Sequence, residues 1–270
     1  MREVEATCPT TARTINAIIG VSASEPNAYS CSACGSRHLW APAPQFPRAI
    51  PPGVKKALRP FVEPVRRRLR NHSFGGSADY WESRYATGGS SGAGSYGVLA
   101  NFKAEFLNGF VRDHGIETVM EFGCGDGNQL SLAHYPTFMG LDVAPTSIEQ
   151  CTRRFVSDST KSFYLYDTRR FLDNARLFRA DLTLSLDVIY HLIEDEIFED
   201  YMRHLFAAAD RNVIIYATNA TIPDEAPHVL NRHFTPWVQA NIPDWRLVET
   251  VKNGHPDQGG RADFFVFARL

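Results

Sequence analysis

The run VMEFGCGDG, residues 119–127, constrains the fold of this 270-residue chain more than any other segment. Apolar Val119 and Met120 lead into a carboxylate, Glu121, and then into glycines at 123, 125 and 127. A strand that ends in such a loop turns backbone N–H groups and the start of a helix toward a ligand. Glycine supplies the positive φ and the close backbone approach that this turn needs. Open α/β sheets gather ligands at the carboxyl ends of their strands, so the run predicts a doubly wound α/β domain. Dinucleotide folds place GxGxxG against a pyrophosphate. Here the spacing is GxGxG, and Glu121 stands two residues before the first glycine. A carboxylate at that point would repel a pyrophosphate and suits a cationic ligand.

The rest of the chain agrees with an α/β sheet. From Asp79 onward, apolar runs alternate with helical patterns, as parallel strands with crossover helices require. Strands are expected over 118–122, 138–141, 162–166, 182–188 and 212–217, and helices over 99–114, 148–155, 197–209 and 234–240. The glycine loop is expected to open one more helix. Residues 245–251 and 263–268 read as two closing strands. Their Gly-rich link is too short for a crossover helix, so they should be antiparallel neighbours. Asp142 follows the second strand in GLDVAP, and Asp167 follows the third in YLYDT. Asp142 can accept hydrogen bonds from two ribose hydroxyls, as an acid does in dinucleotide folds. Asp167 can accept from an adenine amino group. Three acids at three successive strand ends, on one edge of the sheet, form a nucleoside-shaped site.

EFGCGDG, GLD, the strand-three Asp, DVIYHL after strand four and the closing hairpin together resemble the class I S-adenosylmethionine (SAM)-dependent methyltransferases, over roughly Tyr80 to Leu270. The resemblance implies a Rossmann-like, mostly parallel seven-stranded sheet in order 3-2-1-4-5-7-6, with an antiparallel C-terminal hairpin. It implies SAM as cofactor. Glu121, Gly123, Gly125 and Gly127 would hold the methionine part, Asp142 the ribose and Asp167 the adenine, with Asp187 completing the set. A nicotinamide- or flavin-binding Rossmann protein is the alternative on the same sheet. The run from YWESRY to ADFFVF is similar, more loosely, to bacterial methyltransferases of surface-polysaccharide and glycolipid gene clusters. That implies O-methylation of a sugar hydroxyl on a glycan, glycolipid or glycosylated metabolite. An N- or O-methyltransferase of another small metabolite and a catalytically silent SAM-binding regulatory protein are the other readings.

The segments after strands four and five should line the acceptor pocket. They carry Asp187, Tyr190, His191, Glu194 and Asp195, then Asn219, His228 and His233. A hydroxyl acceptor must lose a proton, and histidine is the usual base near neutral pH. His191 is the first candidate and His228 the second, with His233 reading as a helix-start residue. Activity should then rise with pH through the ordinary histidine range. Asp187, Glu194 and Asp195 could hold Mg²⁺; alternatively Asp187 bonds locally, and the other two begin a helix whose dipole favours acids. In YWESRYATGGSSGAGSYG, an aromatic helix followed by a Gly-rich hinge reads as a lid.

Residues 1–75 lack sustained periodicity and read as an N-terminal extension to a methyltransferase domain over 76–270. Cys31, Cys34 and His38 look like half a zinc ribbon, with Cys8 as a fourth ligand; a structural zinc site needs four, and an unliganded turn is the alternative. Cys124 and Cys151 belong to the cofactor loop and to a helix. Residues 54–70 hold seven Lys or Arg and one Glu. They read as a basic surface for a membrane or lipid-linked glycan, or as a solvated linker, since Pro60 and Pro64 interrupt a helix. The net charge of −2 lacks the basic excess of a nucleic-acid binder, and DVIYH stands where a (D/N)PPY-type segment would be expected. No run reaches the ~18 apolar residues of a membrane span, and the N-terminus does not read as a signal peptide. Five scattered cysteines fit a reducing, cytoplasmic setting.

Overall fold

The computed structural model describes residues 2–7, 14–19, 28–34, 36–39, 76–222, 226–255, 257 and 261–270. The basic stretch 54–70, Cys8 and the His38 side chain lie outside the described set. The chain forms two compact units, Met1–Val62 and Glu63–Leu270.

Among the described residues, the first unit holds two antiparallel pairs. Strand β1 (Arg2–Thr7) pairs with β2 (Thr14–Ile19), and β3 (Ala28–Ser30) with β4 (Arg37–Leu39). The sequence predicts none of these strands. Short hairpins are held by cross-strand neighbours, which a one-dimensional pattern does not display. The CSAC segment lies between β3 and β4, where the Cys31 N–H donates to the Ser36 carbonyl at 2.8 Å.

The second unit opens with helices α1 (Ser77–Ala86) and α2 (Gly97–Asp113). Strands β5 (Thr118–Phe122) and β6 (Thr137–Asp142), helix α3 (Pro145–Arg154) and strand β7 (Lys161–Leu165) follow. Then come β8 (Ala180–Leu186), α4 (Asp195–Ala207), β9 (Ala209–Ala217), α5 (Thr235–Asn241), β10 (Trp245–Val251) and β11 (Asp263–Arg269). The sheet order is β10-β11-β9-β8-β5-β6-β7. Strands β5 to β9 run parallel, and β11 is antiparallel to both β9 and β10. Counted from β5 as strand one, this is the 3-2-1-4-5-7-6 order with an antiparallel terminal hairpin, as expected.

Two apolar layers hold the sheet. Met120 and Phe122 face the α4 and α5 side, with Phe198, Met202 and Val238. Val119 points to the other face and joins Leu107, Phe110 and Val111 of α2. Both faces of β5 are therefore covered, which is why its sequence is apolar nearly throughout. The glycine loop does not open an α-helix: only a 3-10 turn, Leu130–Leu132, separates β5 from β6. Three glycines and Pro136 leave too few helix-forming residues between the two strands.

Candidate functional site

A cavity of about 370 Å³ opens at the carboxyl ends of β5, β6, β7 and β8, and α1 contributes to its wall. Glu121, Gly123, Gly125, Asp142, Asp167, Asp187 and His191 all line it. Gly127, His228 and Asn219 are not among its lining residues.

The glycines explain the shape of the floor. Gly123, Gly125 and Gly127 have φ of 85°, 59° and 73°, a region that costs any residue with a Cβ. A Cβ on Gly123 would meet Val188 Cγ2 at 2.5 Å, and one on Gly125 would meet Ser91 Oγ at 2.3 Å. At Gly127 the nearest atoms are Cys151 Sγ and Phe155 Cε2, both at 3.0 Å. Gly127 therefore serves close packing under α3, apart from the cavity.

Buried acids form one wall. Asp142 Oδ2 accepts the Gly125 N–H and Oδ1 the Ala144 N–H, each at 2.9 Å. Burial raises its carboxyl, while these bonds pull the other way. Glu121 is 4% exposed. Burial pushes it up to about 8 against the pull of Lys103, and Asp142 and Asp187 add to the rise. Asp167 is more open; its Oδ1 accepts the Arg169 N–H at 3.0 Å.

Lys103 is the residue that sequence reasoning missed. Its side chain is fully buried, and Nζ donates to Asp187 Oδ2 at 2.7 Å. Asp187 Oδ1 accepts from the Tyr190 hydroxyl at 3.0 Å, and the Asp187 backbone is left-handed, with φ 61°. A non-glycine residue there is strained and held by its surroundings. The signal was in the sequence: Lys103 falls at helical spacing inside the apolar stripe of Leu99, Leu107 and Phe110, where a lysine needs a partner. Gln129 was missed too. Its Nε2 donates to the Ala100 carbonyl at 3.1 Å, while its buried Oε1 accepts from no group among the described residues. Because a carbonyl only accepts, the amide cannot be flipped to fill that gap.

The three proposed magnesium carboxylates are taken separately. Asp187 holds Lys103 and Tyr190; Glu194 accepts the Ser77 N–H at 3.1 Å and hydroxyl at 2.6 Å; Asp195 pairs with Arg232 at 3.1 Å. Asp195 and Glu196 lie in the first turn of α4, with Glu194 just before it. Among the described residues, no cluster of three or more His, Cys, Asp or Glu is arranged for a metal.

Helix α1 is strapped to the cavity. Ser77 binds Glu194 at one end. Glu82 accepts the Thr146 N–H at 3.0 Å and hydroxyl at 2.6 Å, capping α3. Tyr85 Oη lies 3.0 Å from Ser91 Oγ. The Gly-rich segment is fastened to the glycine loop as well: Asp126 Oδ2 accepts the Ser91 N–H at 2.9 Å and the Tyr96 hydroxyl at 2.8 Å. Asp126 sits below the usual carboxylate range: burial would raise it, but these bonds and the Asn128 N–H outweigh burial.

His191 lines the same cavity, in the 3-10 turn Ile189–His191. Its Nδ1 is 3.0 Å from the His228 carbonyl. That oxygen can only accept, so Nδ1 carries the proton and Nε2 keeps its lone pair. Burial pulls His191 down to about 4. The expected titration near neutrality therefore moves into the acid range, and the ring is neutral at pH 7. His228 joins the site through His191, as its hydrogen-bond acceptor and as a ring stacked at 5.5 Å. Asn219 is corrected to a structural role: its Oδ1 accepts the Phe234 N–H at 2.9 Å and the Thr235 N–H at 3.3 Å, at the start of α5. His233 is exposed and immediately precedes Phe234, the N-cap of α5.

No protein-family model matches the sequence. A 109-residue stretch is 30% identical to the small RNA 2'-O-methyltransferase of Arabidopsis thaliana, covering 36% of this chain. The chain spans only 12% of that protein's length. Among solved structures, the N-methyltransferase NodS from Bradyrhizobium japonicum with S-adenosyl-L-homocysteine (SAH) aligns with a TM-score of 0.54 at 17% identity, covering 72% of this chain and 98% of that one. The methyltransferase domain of bacterial CtHen1 aligns at 0.51 and 18% identity, over 63% of this chain and 97% of that one. Magnesium protoporphyrin IX methyltransferase from Synechocystis with bound SAH aligns at 0.51 and 15% identity, over 77% and 100%. At these identities the likeness establishes the fold.

Proposed function

We propose that this chain, whose fold is that of the class I SAM-dependent methyltransferases, transfers a methyl group from SAM to a sugar hydroxyl of a glycan, glycolipid or glycosylated metabolite. One observation carries the reading: Glu121, Asp142 and Asp167 share a cavity with His191, whose Nε2 lone pair the His228 carbonyl leaves available. The residues also fit the cofactor's methionine end. Glu121 and the orphan Gln129 Oε1 are buried acceptors in the same wall, suited to an ammonium group. Gly123 and Gly125 line the same cavity, and a Cβ on either would collide with Val188 or Ser91.

SAM supplies an electrophilic methyl, so the protein mainly positions the acceptor and moves a proton. In our reading Asp142 binds the ribose, Asp167 meets the adenine, and Asp187, held by Lys103, stands at the methionine end. His191 Nε2 takes the hydroxyl proton as the bond to the methyl carbon forms. The imidazolium thus formed matches in number the positive charge that leaves the sulfonium, so the buried site gains no net charge. We assign the methyltransferase domain to 76–270, with 1–75 as an extension, and its work to the cytoplasm. No helix among the described residues is long and apolar enough to cross a membrane.

The name of the Arabidopsis relative favours a second reading, in which the sugar is the ribose of a nucleic acid. NodS, an N-methyltransferase, supports an amine acceptor. Calorimetry tests the cofactor: SAM or SAH should bind at micromolar affinity and NAD should not. NAD binding without SAM binding ends the methyltransferase reading. Methyl-labelled SAM with native-host extracts then tests the acceptor. Label in a saccharide fraction supports the proposal, label in RNA or in an amine replaces it, and binding without turnover indicates the regulatory alternative.

A further inference from the structure

Helix α1 presents two adjacent strips. Ser77, Trp81 and Tyr85, spaced by four, lie in the cavity wall. Tyr80 and Arg84, also four apart and therefore neighbours on the helix surface, form the next strip. There the Tyr80 ring stacks on His228 at 4.3 Å and 15°, with Tyr80 Oη 3.2 Å from His228 Nε2. His228 stacks in turn on His191, and Trp81 meets His191 edge-on at 4.9 Å. Arg84 Cζ lies 5.7 Å from the centroid of Trp81. Its Nε–H donates to the Ser90 carbonyl, which fixes the guanidinium in place. Burial is the main cause that depresses His228, and the Arg84 charge adds to it; the same charge also reaches His191. Arg232 has Asp195 beside it and Arg153 has Glu149. Arg84 has no carboxylate among the described residues, and its terminal amino groups donate to none of them. Among the described residues, a half-buried guanidinium whose charge reaches the proposed base is thus left without counter-charge.

We infer that Arg84 is a specificity-determining residue that takes an oxyanion, phosphate or carboxylate, carried by the sugar acceptor. The inference rests on the sugar-methyltransferase reading. A guanidinium offers two parallel donors to such a group, and the Tyr80 and Trp81 rings offer apolar surface to the sugar beside it. An anion here also lowers the cost of forming the His191 imidazolium, because it offsets the Arg84 charge that opposes it.

NMR of the His228 imidazole at fixed pH, in SAH-saturated protein, tests this. Glucose 1-phosphate and glucuronate are the anionic probes, and glucose is the neutral control. Saturable shifts with either anionic sugar, and none with glucose, are expected; the stronger probe identifies the oxyanion. Arg84→Gln should weaken that binding by roughly 10- to 100-fold, the scale of a charge-assisted contact, and Arg84→Lys should restore part of it. SAH calorimetry on the same variants keeps folding in view, since both should bind SAH as the wild type does. An equal response to glucose, no saturable response in the wild type, or unchanged binding in Arg84→Gln overturns the inference. If SAH itself fails to bind the wild type, the methyltransferase reading falls; if SAH binds and His228 stays silent, only the role of Arg84 falls.

Discussion

The two walls of the cavity, one proposed for the cofactor and the other for the acceptor, are built differently. The cofactor wall is made of strand ends: Glu121 lies within β5, Asp142 ends β6, and the Gly125 N–H of the glycine loop reaches Asp142. The sheet fixes it. The acceptor wall is made of α1 and the 3-10 turn that carries His191, tied by side chains such as Ser77 to Glu194 and Glu82 to Thr146. A wall held by a few side-chain bonds opens more cheaply than one held by a strand ladder. Such a wall can admit an acceptor while the cofactor floor stays rigid, and it can change specificity without unfolding the sheet.

The sharpest way to break this division is His191→Ala. It should lower kcat by ~10²–10⁴, the usual range for a lost general base, while SAM affinity holds. With the native ring depressed to about 4, kcat/KM should show no histidine titration between about pH 6 and 8. A rise through the ordinary histidine range would move the base to another group, with His228 next to test.

Lys103→Met probes the seam between the walls. It leaves Asp187 and Glu121 without their buried cation, and breaking one side of a buried pair costs about 3–5 kcal/mol. Thermal or urea unfolding should register that loss. A stability change within about 0.5 kcal/mol would mean that the pair contributes nothing to the seam.

Glu121→Gln separates stability from binding on the cofactor wall. The native carboxyl keeps its proton up to about 8, whereas an unperturbed one releases it near 4.5. Between those values the native state binds more protons than the unfolded chain, so stability falls as pH rises, and the full cost is felt above about 8. The glutamine variant should therefore gain roughly a few kcal/mol near pH 9 and little near pH 5, yet bind SAM less well. A gain that does not vary with pH would show that Glu121 is ionised throughout.

Asp142→Ala should have the smallest effect, weakening SAM binding by about 1–3 kcal/mol as hydrogen bonds to a charged group are lost. Calorimetry checks it. If binding is unchanged, the ribose is held elsewhere.

Much of the cofactor wall was legible because its residues are consecutive. A strand, a glycine turn and an acid form a local pattern, and alternating periodicity placed the parallel strands and the closing hairpin. The helix expected after the glycine loop is replaced by a 3-10 turn, because three glycines and Pro136 leave too few helix formers there. On the acceptor wall His191 was read by its distance from strand four, but its tautomer was not, because the acceptor of its Nδ1–H is the carbonyl of residue 228. Lys103 carried a readable anomaly, a charge inside an apolar stripe, yet its partner Asp187 lies far along the chain.

The sequence by itself determined the class of sheet and the acids at successive strand ends, because backbone periodicity and glycine chemistry act locally; the strand order was implied only by the family the chain resembles. Only the tertiary structure decided which acids keep their protons, which nitrogen of His191 is free, that Asn219 caps a helix, and that Lys103 neutralises Asp187. Those properties arise from burial and from partners brought together by folding, and neither is encoded at any single position.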